Sequence, residues 1–429
     1  MRVIACFLIV FFFLTSSAGS GFCQGKNSTF AKENPLTLMD CYRLALKRSE
    51  TIAIKAEVIR EAEAHFLQAL NIVMPQISFD SSDSRADATN LSSIYPKTTY
   101  QRNFNISQTL FSGFKAIAGI SGSKLERNQR VDEKTRAEQL LFADVSESFF
   151  LLLQQREDLN TVELIRNALK SRIAELKERE DLGRSRHSET VNTQAQLYRI
   201  EADFELVKSR ETVVRQILEF LTGCPVQEIV DTQNLFVQLN PEDYYADKLA
   251  KRPDVRAAAM AWEVAKKKVI VAQSDLFPTV SLEGNYYTAR NTAPSDSSWD
   301  ATLEVNVPIM EGTETFGNIK LANSQQRQAE LELSRLKRQA NTDIRNAYAQ
   351  LKDGIARTKA MLKALTSSVD NYNLQKEDYR LSLVSNLDVL DAIRTMGETR
   401  RDFTQALYEM KRFYWQLRVA TGEIPPEKI

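Results

Sequence analysis

Side chains with chemistry to offer are few and scattered. Two His and four Cys are spread over 429 residues. They form no CxxC pair and no HExxH helix, and there is no glycine-rich phosphate loop, so the familiar zinc, redox and nucleotide chemistries have no motif. His65 and His187 have no ligand-like neighbours, and no metal or other cofactor is expected. No nucleophile, base and orienting group come together in one pattern, so the sequence does not read as an enzyme. What remains is a set of carboxylates. Asp388 and Asp391 stand three apart in Leu387-Asp388-Val389-Leu390-Asp391-Ala392, which places both on one helix face. Glu189 holds the equivalent place in an earlier stretch, Glu180 to Val191. Such carboxylates either line a shared pore or form a solvated helix face.

The elements that position them are long helices. Only 14 Gly and 11 Pro occur, so turns are rare and elements are long. From Leu38 to Val73 an apolar stripe predicts one helix, ended by Pro75. From about Ala116 to Leu182 the apolar positions Val145, Phe149, Leu152, Leu159, Val162 and Ile165 keep a three-and-four spacing. At ~1.5 Å per residue this is a helix of about 100 Å, with a sustained coiled-coil seam. It turns at Gly183, and a second helix runs from about Ser188 to Leu221, stopping at Gly223 and Pro225. The order then repeats: a helix from Pro253 to Pro278, a long helix, a turn at Ser382 and a last helix ending near Ala420. Gly113 to Gly312 and Gly223 to Gly422 are each 199 residues apart, which marks a duplication.

Between the helices lie strands. Gln76 to Asp80, Arg102 to Gln108, Thr279 to Tyr286 and Trp299 to Val307 alternate with period two. Ser81 to Lys97 and Asn291 to Ser298 read as polar loops. Trp299, Ala301, Leu303, Val305 and Val307 make an apolar face, and Asp300, Thr302, Glu304 and Asn306 the opposite one. That suits a barrel with lipid outside and water inside, although a soluble antiparallel sheet has the same alternation. Four strands cannot close alone, and open edges are not tolerated in a bilayer. An oligomer that pools strands and helices meets both needs.

Formal net charge is +0, so no nucleic-acid partner is indicated. Arg2, the short apolar run Ile4 to Leu14 and Ser16-Ser17-Ala18 predict a signal peptide over residues 1–24. Cys23 follows Phe22, where a lipidation site wants a small residue. Cys41 and Cys224 remain and are expected as free thiols, with pairing as the alternative.

The order of elements, with Pro35-Leu36-Thr37-Leu38, Arg252-Pro253-Asp254-Val255, Phe277-Pro278-Thr279-Val280-Ser281, Val307-Pro308-Ile309-Met310-Glu311-Gly312 and Leu387 to Ala392, resembles the bacterial outer membrane efflux proteins of the TolC family over residues 35–423. The resemblance divides the chain into a first repeat at 35–223, a linker at 224–243, a second repeat at 244–423 and a tail at 424–429. It implies a mainly helical fold with long hairpins and four membrane strands per chain. It further implies a homotrimer in outer-membrane lipid, serving as the exit duct of a tripartite efflux or type I secretion system. The partners would be a periplasmic adaptor and an inner-membrane transporter. The alternative is a periplasmic coiled-coil scaffold.

By the same resemblance the hairpin turns form the periplasmic tip, and Asp388 and Asp391 give two stacked carboxylate rings. Mutual repulsion in such rings would raise carboxyl pKa values. Tyr379 and Glu189 are expected to form a latch across neighbouring tip helices. Gly183, Arg184, Ser185 and Arg186 in one turn, and Ser382, Leu383, Val384 and Ser385 in the other, would meet the adaptor. The first turn is unusually basic. The second has Ser382 where the family usually has Gly.

Overall fold

The computed structural model describes residues 35–85, 98–232, 239–291, 297–309 and 312–424. The expected signal peptide, Cys23, Met310, Glu311 and most of the tail lie outside the described residues.

Thr37 opens helix α1 (Leu38–Arg48) with a capping box, its hydroxyl and backbone N–H both engaging Asp40. The single helix expected from Leu38 to Val73 is instead two. Ser49 adopts an extended conformation and caps α2 (Glu50–Leu70) by accepting from the Ile52 N–H at 3.4 Å. The apolar stripe continues across this break, so periodicity could not reveal it. A 3-10 turn, Asn71–Val73, and Pro75 lead into the first strand.

Four antiparallel strands lie side by side in chain order: β1 (Gln76–Arg85), β2 (Thr98–Ser112), β3 (Thr279–Arg290) and β4 (Trp299–Asn306). β1 extends five residues into the stretch expected as loop, held by the pairing of Ser81 with Arg102 through Arg85 with Thr98. The register places Phe79, Phe104, Tyr286 and Trp299 in one row across all four strands. Ile77, Ile106, Gly284 and Ala301 form the next row on that face.

Helix α3 (Lys115–Asp181) and its repeat α7 (Glu314–Arg380) are both 67 residues long. Each follows a left-handed glycine, Gly113 or Gly312. At Gly113 no side chain fits, because a Cβ would lie 2.4 Å from the Ser274 carbonyl oxygen. Helices α4 (His187–Thr222) and α8 (Asn386–Ala420) return along α3 and α7. A short helix α5 (Glu242–Ala246) and then α6 (Pro253–Gln273) join the halves.

The two hairpin turns are built alike. Arg184 N–H donates to the Arg179 carbonyl at 2.7 Å around a left-handed Gly183, and Leu383 N–H donates to Asp378 at 2.9 Å around a left-handed Ser382. Both are Schellman closures. Ser382 is held at φ 61°, a conformation costing a non-glycine residue about 1 kcal/mol.

The main core joins α1, α3, α4 and α8 through Leu38, Phe142, Phe149, Leu218 and Trp415. Farther along, Arg252 is 1 % exposed. It grips Asp254 with two donors at 2.7 and 3.0 Å and donates to the Ala420 carbonyl at 3.1 Å. The expected motif arginine is therefore a clasp on the C-terminal end of α8, where the helix dipole favours a cation. Cys41 and Cys224 are free thiols. Burial first, then the nearby Cys224, pushes the Cys41 thiol up to about 12.

Candidate functional site at the hairpin tips

Four helices converge behind the two turns, and a polar network ties them together. Arg172 of α3 is 4 % exposed. Its Nε donates to Asn386 Oδ1 at 2.8 Å on α8, and its Nη1 to Glu175 at 2.8 Å. Asn386 passes the chain on, donating to Thr193 Oγ1 of α4 at 3.2 Å. The Arg172 guanidinium carbon sits 3.5 Å from the centroid of the Tyr379 ring of α7, and that of Arg179 at 4.5 Å. The remaining Arg172 nitrogen, Nη2, has no hydrogen-bond partner, so the ring face is its compensation.

Tyr379 and Glu189 do meet. The Tyr379 hydroxyl donates to Glu189 Oε2 at 3.4 Å, a long bond, while Ser185 donates to the same oxygen at 3.0 Å. The contact lies within one chain, between α7 and α4.

Asp388 and Asp391 are both exposed on α8. Asp388 is the N3 residue of a capping box, accepting from the Ser385 hydroxyl at 2.6 Å and the Ser385 N–H at 2.8 Å. Those two bonds hold its carboxyl below the ordinary value of 3.8. This direction is opposite to the one expected from ring repulsion, because inside one chain the nearest groups are donors. Asp391 pairs with Arg394 at 2.6 Å.

In the turns, Gly183, Arg184, Arg186, Ser382, Leu383 and Ser385 are exposed, while Ser185 and Val384 are half-buried. Arg172 and Asn386 were missed from the sequence. Each interrupts an apolar seam, Arg172 between Leu169 and Leu176 and Asn386 ahead of Val389 and Leu390. A polar residue inside a seam is the available signal.

The sheet face carrying Ile77, Phe79, Ile106, Leu303 and Val305 is exposed in the single chain. Its opposite face is polar: Asn103 and Asn105 both donate to Asn285 Oδ1, at 2.8 and 3.0 Å, and Asn285 donates to Asp300 at 3.0 Å. Among the described residues no helix is long and apolar enough to cross a membrane.

The family model described as outer membrane efflux protein matches residues 41–223 and 245–423. The outer membrane protein TolC of Vibrio cholerae is 22 % identical over 338 residues, covering 76 % of this chain and 77 % of that protein. The outer membrane efflux protein BepC of Brucella suis is 21 % identical over 408 residues, covering 92 % and 87 %. The crystal structure of CusC superposes with a TM-score of 0.79 at 17 % identity, covering 90 % of this chain and 92 % of that one. With its repeated helix, strand, strand and long hairpin, the chain belongs to the outer membrane efflux protein family, as a non-enzymatic outer-membrane channel with a periplasmic helical extension.

Proposed function

We propose that three copies of this chain form the exit duct of a tripartite efflux or type I secretion system, with a carboxylate-ringed gate at the hairpin tips. The observation that carries the reading is the sheet: it is open at β1 and β4, and its apolar face is exposed. The open edges are intolerable in lipid and are removed when β1 of one copy pairs with β4 of the next, while the apolar face is the one that lipid covers. The hairpins support the same assembly. Helix α4 carries Tyr198, Leu206, Val213 and Phe220 exposed at near-heptad spacing, a seam that lacks its partner helix.

In this duct Asp388 and Asp391 repeat around the axis, and the Tyr379–Glu189 contact with the Arg172 network holds each pair of hairpins together. A periplasmic adaptor meets the turns at Arg184 and Arg186 and at Leu383, and an inner-membrane transporter supplies the cargo. Loosening the tip widens the aperture.

Two measurements test this. Extracted protein is expected to run as a trimer that heating converts to monomer. The double substitution Tyr379→Phe, Glu189→Ala is expected to raise single-channel conductance in a planar bilayer. A monomer throughout would remove the duct, and unchanged conductance would remove the latch.

A further inference from the structure

We propose that the two hairpin turns of each chain are chemically distinct docking sites, and that the partner seated on them presents both apolar side chains and carboxylates. The inference rests on the adaptor-docking reading above and names the chemistry of that partner. The 199-residue offset of the duplication aligns the turns residue by residue. Their backbones match, each closing around a left-handed residue, Gly183 or Ser382. Leu182 and Leu381 hold equivalent places, and both are 70 % exposed. One apolar side chain therefore stands at every turn.

Beyond that leucine the turns diverge. Arg184, Arg186 and Ser188 of the first align with Leu383, Ser385 and Leu387 of the second. Leu383 and Leu387 are 71 % and 64 % exposed, so the second turn is an apolar knob. Arg184 and Arg186 are exposed, and among the described residues neither guanidinium has an ion pair. The acids beside them are engaged elsewhere. Glu180 accepts from Thr190 at 2.9 Å and lies 2.8 Å from His187 Nδ1, while Glu189 accepts from Ser185 and Tyr379. Asp181 is exposed without an ion pair among the described residues, one acid against two bases.

The helix starts carry the same contrast. Helix α8 supplies its own cap, because Ser385 and Asp388 engage each other. Helix α4 begins after Arg186 with no side-chain cap, so the positive end of its dipole lies in the exposed turn beside the two arginines. A carboxylate is the group that exposed guanidinium donors recognise best, two N–H groups at a time. Three copies then alternate basic and apolar sites around one rim. Contact at the leucines is insensitive to salt, whereas the arginines steer an acidic partner in and reject a basic one. The first turn thus sets which adaptor is accepted, and the second how firmly it is held.

The test places a photo-crosslinking residue at the equivalent positions Ser188 and Leu387 of the full-length protein in intact cells. Both are expected to capture one periplasmic protein, through a peptide carrying Asp or Glu at position 188 and through an apolar peptide at position 387. Arg184→Glu, Arg186→Glu is expected to cut the adduct yield by about tenfold or more, and replacing the captured peptide's acid by Lys is expected to restore it. Leu383→Ser is expected to lower the yield with no rescue from that exchange. A peptide without an acid, an unaltered yield in the Glu variant, a yield that the exchange leaves low, or adducts with lipid or a second copy of this chain alone would overturn the inference and leave the duct standing. No adduct at either turn overturns the docking reading and the inference together. If the Glu variant fails to assemble, Arg184→Gln, Arg186→Gln is expected to lower the yield several-fold, and an unchanged yield overturns the inference.

Discussion

At the tip, the Tyr379 ring lies between the guanidinium groups of Arg172 and Arg179, while its hydroxyl reaches Glu189 only at 3.4 Å. The magnitudes rank these contacts. A hydrogen bond that long, with a rival donor in Ser185, contributes at most a few tenths of a kcal/mol. Burying the ring contributes several kcal/mol, and its cation–π contacts add about 1 kcal/mol or more. Tyr379→Phe is therefore expected to leave thermal stability nearly unchanged. Tyr379→Ala is expected to cost about 3 kcal/mol and to raise amide exchange in the first turns of α8, because Arg172 then loses the face that compensates its unpaired nitrogen. Equal effects of the two changes, read by denaturant melts and exchange, would remove the ring from this role. The aromatic and its contact with Glu189 were expected from the family resemblance, but its arginine partners were not. Long charged side chains are read by default as solvated, and only tertiary packing places Arg172 beneath a ring.

Helices α3, α4 and α8 enclose Asp158, whose Oδ1 has no hydrogen-bond partner. Burial pushes its carboxyl up to about 6, against the opposing pull of Arg401 and Arg210 and with a smaller push from Glu157. A carboxyl raised in the folded state binds its proton more tightly there than in the unfolded chain. Stability from this group is thus greatest at low pH, declines as pH rises from about 3.8 to about 6, and stays low above that. Asp158→Asn is expected to stabilise the protein by on the order of 1 kcal/mol at pH 7.5, after allowing for partial solvent access, and to change little near pH 4. Equal melting shifts at the two pH values would contradict the assignment. Elements themselves were largely legible. The seam of α3 and the alternation of β4 carry strong periods because each buries or exposes one face only. The outer half of β1, Ser81 to Arg85, has no such contrast: both faces are polar, so only its pairing with β2 makes it a strand. The Ser49 break was hidden for the converse reason, since apolar residues flank it in phase.

For the whole molecule, the duplication puts the same construction once in each half: a strand pair followed by a left-handed glycine, then a 67-residue helix, then a Schellman turn. The strand face that meets lipid is bounded by the aromatic row Phe79, Phe104, Tyr286 and Trp299 on one side and by Phe111, Phe114 and Phe277 on the other. Aromatic girdles of this kind sit at membrane interfaces. Leu303→Arg, near the middle of that band, is expected to destabilise the membrane-inserted protein by about 2–4 kcal/mol, whereas Thr302→Arg on the opposite face is expected to be tolerated. Refolding yields into vesicles measure the difference, and equal losses would reverse the assignment of faces.

The equal length of α3 and α7 has a geometric meaning. Starting from the glycine turns at Gly113 and Gly312, two rods of identical length measure off the same depth, about 100 Å, in both halves of the repeat. Both turns of one chain therefore finish at one level, and the rim they make is flat. Whatever seats against it is gauged to a plane rather than to a single protruding finger. A change of length in one hairpin alone would tip that plane, while equal changes in both would only move it.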